Sequence, residues 1–364
     1  AEALRQRSFL RFKRGLHAES EADLRRALEV AEALHGAQHG GVVVYLDHLA
    51  DLTRALGRVP ESEALMRRAL AIAAATDEAP EVLSRRYLEL GTGLHEQGRH
   101  LEGEALLRKA REVPNAPSDP LARLQALLPL GACLVGQGRL RDADAIFTEA
   151  LVLVETQWGG EHPEVAKRLL ELAKLHRIQG RHEDALAELQ RAARVIEKAG
   201  GPQQLVVART LEQISGVLCD AARFREAEAP LQRALAIKEK AMGESHPDVA
   251  MALGALGELY QLSGRYTEAE PLLRKALTLR EQVLGAQHPF LAPHLARLAR
   301  LYQDEGRYHE AQQIQQRILA LREQMLGPDH PGLVATLDEL IEMQRRVGDP
   351  AQAEQYIERT LRIR

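Results

Sequence analysis

The residues best suited to chemistry are five histidines in similar surroundings: His39, His162, His246, His288 and His330. Imidazole is a ready zinc ligand, so a row of them invites a metal site. Their spacing argues against one. The last three stand 42 residues apart, so each belongs to its own structural unit. Neighbours would then lie a helix diameter apart, about 10 Å. A shared zinc needs every ligand about 2.0–2.1 Å from the metal. The histidines therefore read as helix-start residues. His35 and His39 are four apart, but Gly36 falls between them and interrupts a helix. Cys133 and Cys219 lack CxxC spacing and read as small apolar helix residues. Gly91-Thr92-Gly93 lacks the Lys-Ser/Thr of a phosphate loop and sits inside a helical pattern. Neither HExxH nor GxSxG occurs. The expectation is a chain with no catalytic residues, no cofactor and no metal.

The elements that carry these residues repeat. A tight-turn residue, followed in most copies by Arg, falls at Gly15, Gly57, Gly98, Gly138, Gly180, Ala222, Gly264, Gly306 and Gly348. The spacings are 42, 41 and 40, then 42 five times. On both sides of each turn apolar residues recur at three- and four-residue steps, which is helical periodicity. Small residues mark where the two helices must approach. Five after the turn come Ser20, Ser62, Gly103, Ala143, Ala185, Ala227, Ala269, Ala311 and Ala353. Seven before it come Ser8, Ala50, Gly91, Gly131, Ala173, Ser215, Gly257 and Ala299, with Ile341 the exception. Such side chains allow interaxial distances near the short end of about 8–10 Å. The recurrent Arg after the turn reads as a solvated surface stripe. Between Val113 and Pro120 the pattern gives way to turn residues, which predicts an irregular joint there.

These small-residue positions resemble those of the tetratricopeptide repeat family. The period and the linkers Leu284-Gly285-Ala286-Gln287-His288-Pro289 and Leu326-Gly327-Pro328-Asp329-His330-Pro331 are similar to the kinesin-light-chain-like subclass. The resemblance covers the whole chain. It implies an all-α, right-handed superhelical solenoid of about nine helix-turn-helix repeats over residues 1–364, and a protein-binding role. Pro suits the first helical turn, where its missing N–H would be unpaired anyway.

The resemblance also implies that the first helix of each pair lines the concave face and meets a ligand through a few fixed positions ahead of the turn. Those positions hold Asp47 and Asp51 in the second repeat, and Glu89 and Glu96 in the third. They hold Gln125, Leu128 and Val135 in the fourth, and Lys167, Lys174 and Arg177 in the fifth. Arg209 follows in the sixth, and Arg297 and Arg300 in the eighth. Kinesin light chains place paired Asn here to grip an extended backbone. This chain has Asp47-His48, Leu88-Glu89, Leu128-Pro129 and Gly254-Ala255 instead. An amphipathic helix or a folded domain is therefore the expected partner. The first helix of the fourth repeat is apolar nearly all round, from Leu121 to Val135, with Pro129 set to kink it. An apolar floor between an acidic and a basic flank is expected.

Composition narrows the class. Charged residues are 27% and the net charge is −4, so no basic excess suggests nucleic acid. Aromatics are only 4%, which favours close-packed helices over a sheet. No run approaches the ~18–20 apolar residues of a membrane span. A reduced, cytoplasmic setting is expected, and Arg outnumbers Lys 40 to 8, as in GC-rich bacterial genomes. The chain opens on Ala1 and closes its last repeat at Arg364 without a polar capping helix, so a longer parent protein is expected. Two functions follow: a scaffold or adaptor, or the sensor arm of a larger signalling or defence enzyme such as a nucleotide-switch ATPase, caspase-like protease or Ser/Thr kinase.

Overall fold

Helix pairs form because the turn residue between them adopts a conformation that stops one helix and starts the next. The computed structural model describes residues 1–76, 79–113, 120–201 and 204–364. The nine turn residues all have positive φ, from 56° at Ala222 to 87° at Gly348. At Gly264 the Arg265 N–H donates to the Tyr260 carbonyl at 2.8 Å, and the Gly264 N–H to Gln261 at 3.0 Å. These two bonds satisfy the last carbonyls of the helix.

The described residues contain eighteen α-helices, three short 3-10 turns and no strand. They divide into two compact units, Ala1–Leu175 and His176–Arg364. The first holds α1 (Glu2–Lys13) with α2 (His17–His35), α3 (Val43–Ala55) with α4 (Val59–Ala75), α5 (Pro80–Glu96) with α6 (His100–Glu112), and α7 (Pro120–Gly136) with α8 (Leu140–Trp158). The division falls within α9 (Pro163–Ile178). The second unit continues with α10 (His182–Gly200), α11 (Leu205–Asp220) with α12 (Phe224–Met242), and α13 (Pro247–Leu262) with α14 (Tyr266–Leu284). It ends with α15 (Ala292–Asp304) with α16 (Tyr308–Leu326), and α17 (Val334–Val347) with α18 (Pro350–Ile363). Most of the expected joint between Val113 and Pro120, residues 114–119, lies outside the described residues.

Each pair closes on its two rows of small residues. Ser20 Oγ donates to the Ser8 carbonyl at 3.0 Å, Ser62 Oγ to Ala50 at 2.7 Å, and Ser215 Oγ to Ala227 at 2.9 Å. The equivalent Ala143, Ala185, Ala227, Ala269 and Ala311 have no exposed surface. Ile341 is accommodated at the end of the second unit, 8% exposed.

Ala222 is the one non-glycine described residue with positive φ. A Cβ there costs about 1–2 kcal/mol relative to the right-handed region, partly offset by the backbone entropy that glycine would add to the unfolded chain. Ala222→Gly should therefore raise stability by about 0.5–1 kcal/mol. A urea midpoint no higher than wild type would show that the turn carries no such strain.

In five copies the arginine after the turn is more than a solvated stripe. It ties successive pairs together. Arg58 reaches Glu21 at 2.5 Å, Arg99 reaches Glu63 at 2.7 Å, and Arg139 reaches Glu104 at 2.9 Å. In the second unit Arg265 reaches Glu228 at 2.6 Å and Arg307 reaches Glu270 at 2.9 Å. Each of these also pairs three residues along its own helix, as Arg265 does with Glu268. Two copies add a tyrosine. Tyr260 Oη donates to Glu228 and Tyr302 Oη to Glu270, both at 2.8 Å, while Arg265 and Arg307 lie over the two rings at 4.1 and 4.2 Å. Charge-assisted bonds converging on one carboxylate are stronger than isolated surface pairs.

Burial alone would raise the Glu270 carboxyl, but bonds from Tyr302, Arg274 and Arg307 outweigh it and bring the pKa to about 2. A carboxyl depressed on folding contributes stability above its unfolded pKa of about 4.3 and loses it as pH falls towards the folded value. Allowing for solvent at a quarter-exposed side chain, the expected contribution is roughly 1–2 kcal/mol. Glu270→Gln should flatten the acid limb of a stability–pH curve between about pH 4.5 and pH 2. An acid limb identical to wild type would remove Glu270 from the clamp.

Candidate functional site

The five linker histidines act on the backbone. Each Nδ1 accepts a hydrogen bond from the N–H two residues on: His39 from Gly41 at 3.0 Å, His162 from Glu164 at 3.2 Å, and His246 from Asp248 at 3.1 Å. His288 does so from Phe290 at 3.2 Å and His330 from Gly332 at 3.0 Å. The imidazole caps a helix or 3-10 start, doing what Ser or Asp does elsewhere. An Nδ1 that accepts leaves the ring proton on Nε2. Among the described residues no group of three or more His, Cys, Asp or Glu is placed to hold a metal ion. Burial, with Glu104 nearby, pushes the Cys133 thiol up to about 11, so it stays protonated at neutral pH. Gly91 lies inside α5, where a Cβ would sit 2.8 Å from Leu107 Cγ; its role is packing.

The exposed positions of the first helices form shared surfaces, because successive first helices touch through them. Arg5 of α1 meets His48 of α3 at 3.1 Å, and Asp47 of α3 meets Arg86 of α5 at 2.6 Å. In the second unit, Arg297 of α15 meets Glu258 of α13 at 2.6 Å, and Gln261 of α13 meets Asp304 of α15 at 2.5 Å.

In the first unit this surface brings Asp47, Asp51 and Glu89 together. Burial raises the Glu89 carboxyl, Arg85 pulls it back, and the negative charges of Asp47 and Asp51 add to the rise. Glu96 is exposed beside a cavity of about 200 Å³ lined by Arg54, Met66 and Leu90. Gln125 is exposed on α7, and Leu128 and Val135 are half-buried. Both pack on the cluster of Leu107, Leu130, Cys133 and Leu134. α7 runs unbroken through Pro129; the side chain of Leu121 lies outside the described residues.

The expected basic flank is thinner than its residue types suggest. Lys167 is held by Glu164 of its own helix. Arg177 belongs to the second unit and pairs with Asp220 at 2.5 Å. Lys174 remains exposed, with no ion pair among the described residues. Arg209 and Arg300 are exposed on the first helices of the second unit, and Arg297 is engaged by Glu258.

One feature escaped the sequence. A cavity of about 270 Å³ between α1, α2 and α3 is walled by Phe9, Phe12, Leu24 and Leu52, with Asp51 at its rim. Phe9 and Phe12 occupy the same two positions ahead of their turn as Asp51 and Arg54 do in the next repeat, and that offset was the available signal.

The chain belongs to the tetratricopeptide repeat family, whose model matches residues 1–75, 122–198, 168–240, 206–282, 248–324 and 291–364. Its fold class is the all-α tetratricopeptide solenoid, and repeats of this family are generally protein-interaction modules. Similar solved structures include the nearly identical TPR-like repeats of a protein described as a kinesin light chain from Podosopora anserina. That match has 22% identity and a TM-score of 0.52, and covers 57% of this chain and 99% of that one. A signal transduction ATPase of the STAND type with a tetratricopeptide repeat sensor, from Pyrococcus horikoshii, matches at 16% identity and TM-score 0.62, over 93% of this chain and 49% of that one. The apo form of RapI matches at 13% identity and TM-score 0.55, over 88% and 97%. No curated protein matches the sequence. Among the described residues no helix is long and apolar enough to cross a membrane.

Proposed function

We propose that this chain is a scaffold or adaptor that binds a protein partner on the exposed surface of its first helices and performs no catalysis itself. The supporting observation is the surface of the first unit. Leu128 and Val135 present apolar side chains there, with acidic Asp51, Glu89 and Glu96 on preceding helices and Lys174 on the following one. A surface with no paired amides grips a ligand through side chains, which suits a partner whose backbone is already satisfied, such as an amphipathic helix or a folded domain. The setting we propose is bacterial and cytoplasmic, with neither nucleic acid nor metal involved. The test is to capture partners from source cells and compare their affinity for wild type and Leu128→Asp.

A second reading, the sensor arm of a larger signalling enzyme, draws on the fold shared with the tetratricopeptide sensor of the STAND ATPase. That likeness carries the fold alone. The parent gene decides: a nucleotide-binding domain encoded in frame with these repeats would favour it.

A further inference from the structure

The surface of the second unit has chemistry of its own. Met251 and Leu262 of α13 are 52% and 60% exposed. They are eleven residues apart, which puts them on the same side of the helix, about 16 Å from one another. Half-buried Ala255 and Glu258, whose carboxylate Arg297 holds, lie between them. Gly254 has no side chain, and the Arg297 guanidinium occupies that space, 2.7 Å from where a Cβ would stand.

Three carboxylates of α11 and α13 are already engaged by cations. Lys238 holds Glu212, Arg177 holds Asp220 at 2.5 Å, and Arg297 holds Glu258 at 2.6 Å. Arg209 on α11 and Arg300 on α15 are exposed and meet no carboxylate among the described residues. These helices flank α13 in chain order, and α12 packs against both α11 and α13. The result is two exposed apolar side chains either side of a neutralised Glu258, with an exposed arginine in no ion pair among the described residues on the helix to either side. Guanidinium groups suit carboxylates through their paired donors.

We infer that this surface docks an acidic amphipathic helix, its apolar side along Met251 and Leu262 and its carboxylates towards Arg209 and Arg300; the inference rests on the protein-binding reading above. The helical form is chosen because no Asn pair stands on these helices to grip an extended backbone. The surface also sets where the helix stops. At the C-terminal end of α15, Asp304 joins Glu339 and Glu342 of α17 around a cavity of about 320 Å³ whose lining holds a single cation, Arg346, and this would repel further acidic residues.

The probe is a fluorescein-labelled peptide of about 18 residues, five turns, with Leu along one side and Glu elsewhere; a second peptide replaces Glu with Lys. Fluorescence anisotropy should show the Glu peptide binding at least tenfold more tightly than the Lys peptide. Arg209→Glu with Arg300→Glu should weaken the Glu peptide at least tenfold, while Arg26→Glu, on the exposed side of α2, should leave it unchanged. Leu262→Ser should weaken it too. Equal binding of both peptides, or a Glu peptide indifferent to the double reversal, overturns the inference. Leu128→Asp should not disturb this peptide. If the Glu peptide fails while a captured partner still depends on Leu128, this inference falls and the broader reading stands.

Discussion

Ala269→Leu should destabilise the chain by about 1–3 kcal/mol or more, whereas Thr267→Leu, two residues away, should cost less than about 0.5 kcal/mol. Ala269 has no exposed surface and faces Gly257 across the α13–α14 joint. A Cβ placed on Gly257 would already stand 2.7 Å from Leu273 and 3.4 Å from the Ala269 carbonyl. No room exists for three further carbons without separating the helices. Thr267 points to solvent on the first turn of α14. Repeat proteins gain stability as a sum of local and nearest-neighbour terms, so the damage should be local. Hydrogen exchange should report faster opening of α13 and α14 before the global melt shifts. Equal denaturation midpoints together with unchanged exchange in those helices would refute the packing.

The helix pairs were legible because their determinants are local and repeat. A turn residue at near-constant spacing and two rows of small residues locate each hairpin, and both are properties of residue type alone. The contacts that join one pair to the next were not legible in the same way. Arg265 reads as solvated until Glu228, 37 residues earlier, is found beside it. A pattern of single positions cannot show such a bond; only pairing the row after each turn with the acidic row of the preceding repeat would have suggested it. The histidines fall between these cases. Their place before Pro or a small residue indicated a helix start, but the cap made by Nδ1 depends on ring orientation, which periodicity does not encode.

The exposed positions of the first helices were legible in the sequence, the pairing of their charges less so. Lys167 and Arg177 are both exposed on α9, yet each has a carboxylate partner. Glu164, three residues before Lys167, was a visible helical neighbour. Asp220 was not, because it lies 43 residues on. Pairing of this kind leaves the apolar residues and the few unpaired charges as the features with most to gain from a partner.

Leu128→Asp should therefore weaken binding of a captured partner at least tenfold, about 1.4 kcal/mol or more. Anchors in an apolar floor carry most of an interface's affinity, and a carboxylate there would have to be desolvated without a counter-charge. Because Leu128 also packs against Leu130 and Cys133, some loss of stability accompanies the change. Binding must be read at a temperature where circular dichroism shows both chains folded, with Leu128→Ala as a milder second variant. Lys174→Glu should act differently. An exposed charge at the rim changes association more than dissociation, and salt screens it. Its effect should fall on the association rate and fade as ionic strength rises. If Leu128→Asp and Leu128→Ala bind as wild type does, or cross-links place the partner wholly on the second helices, the first-helix surface is not the interface.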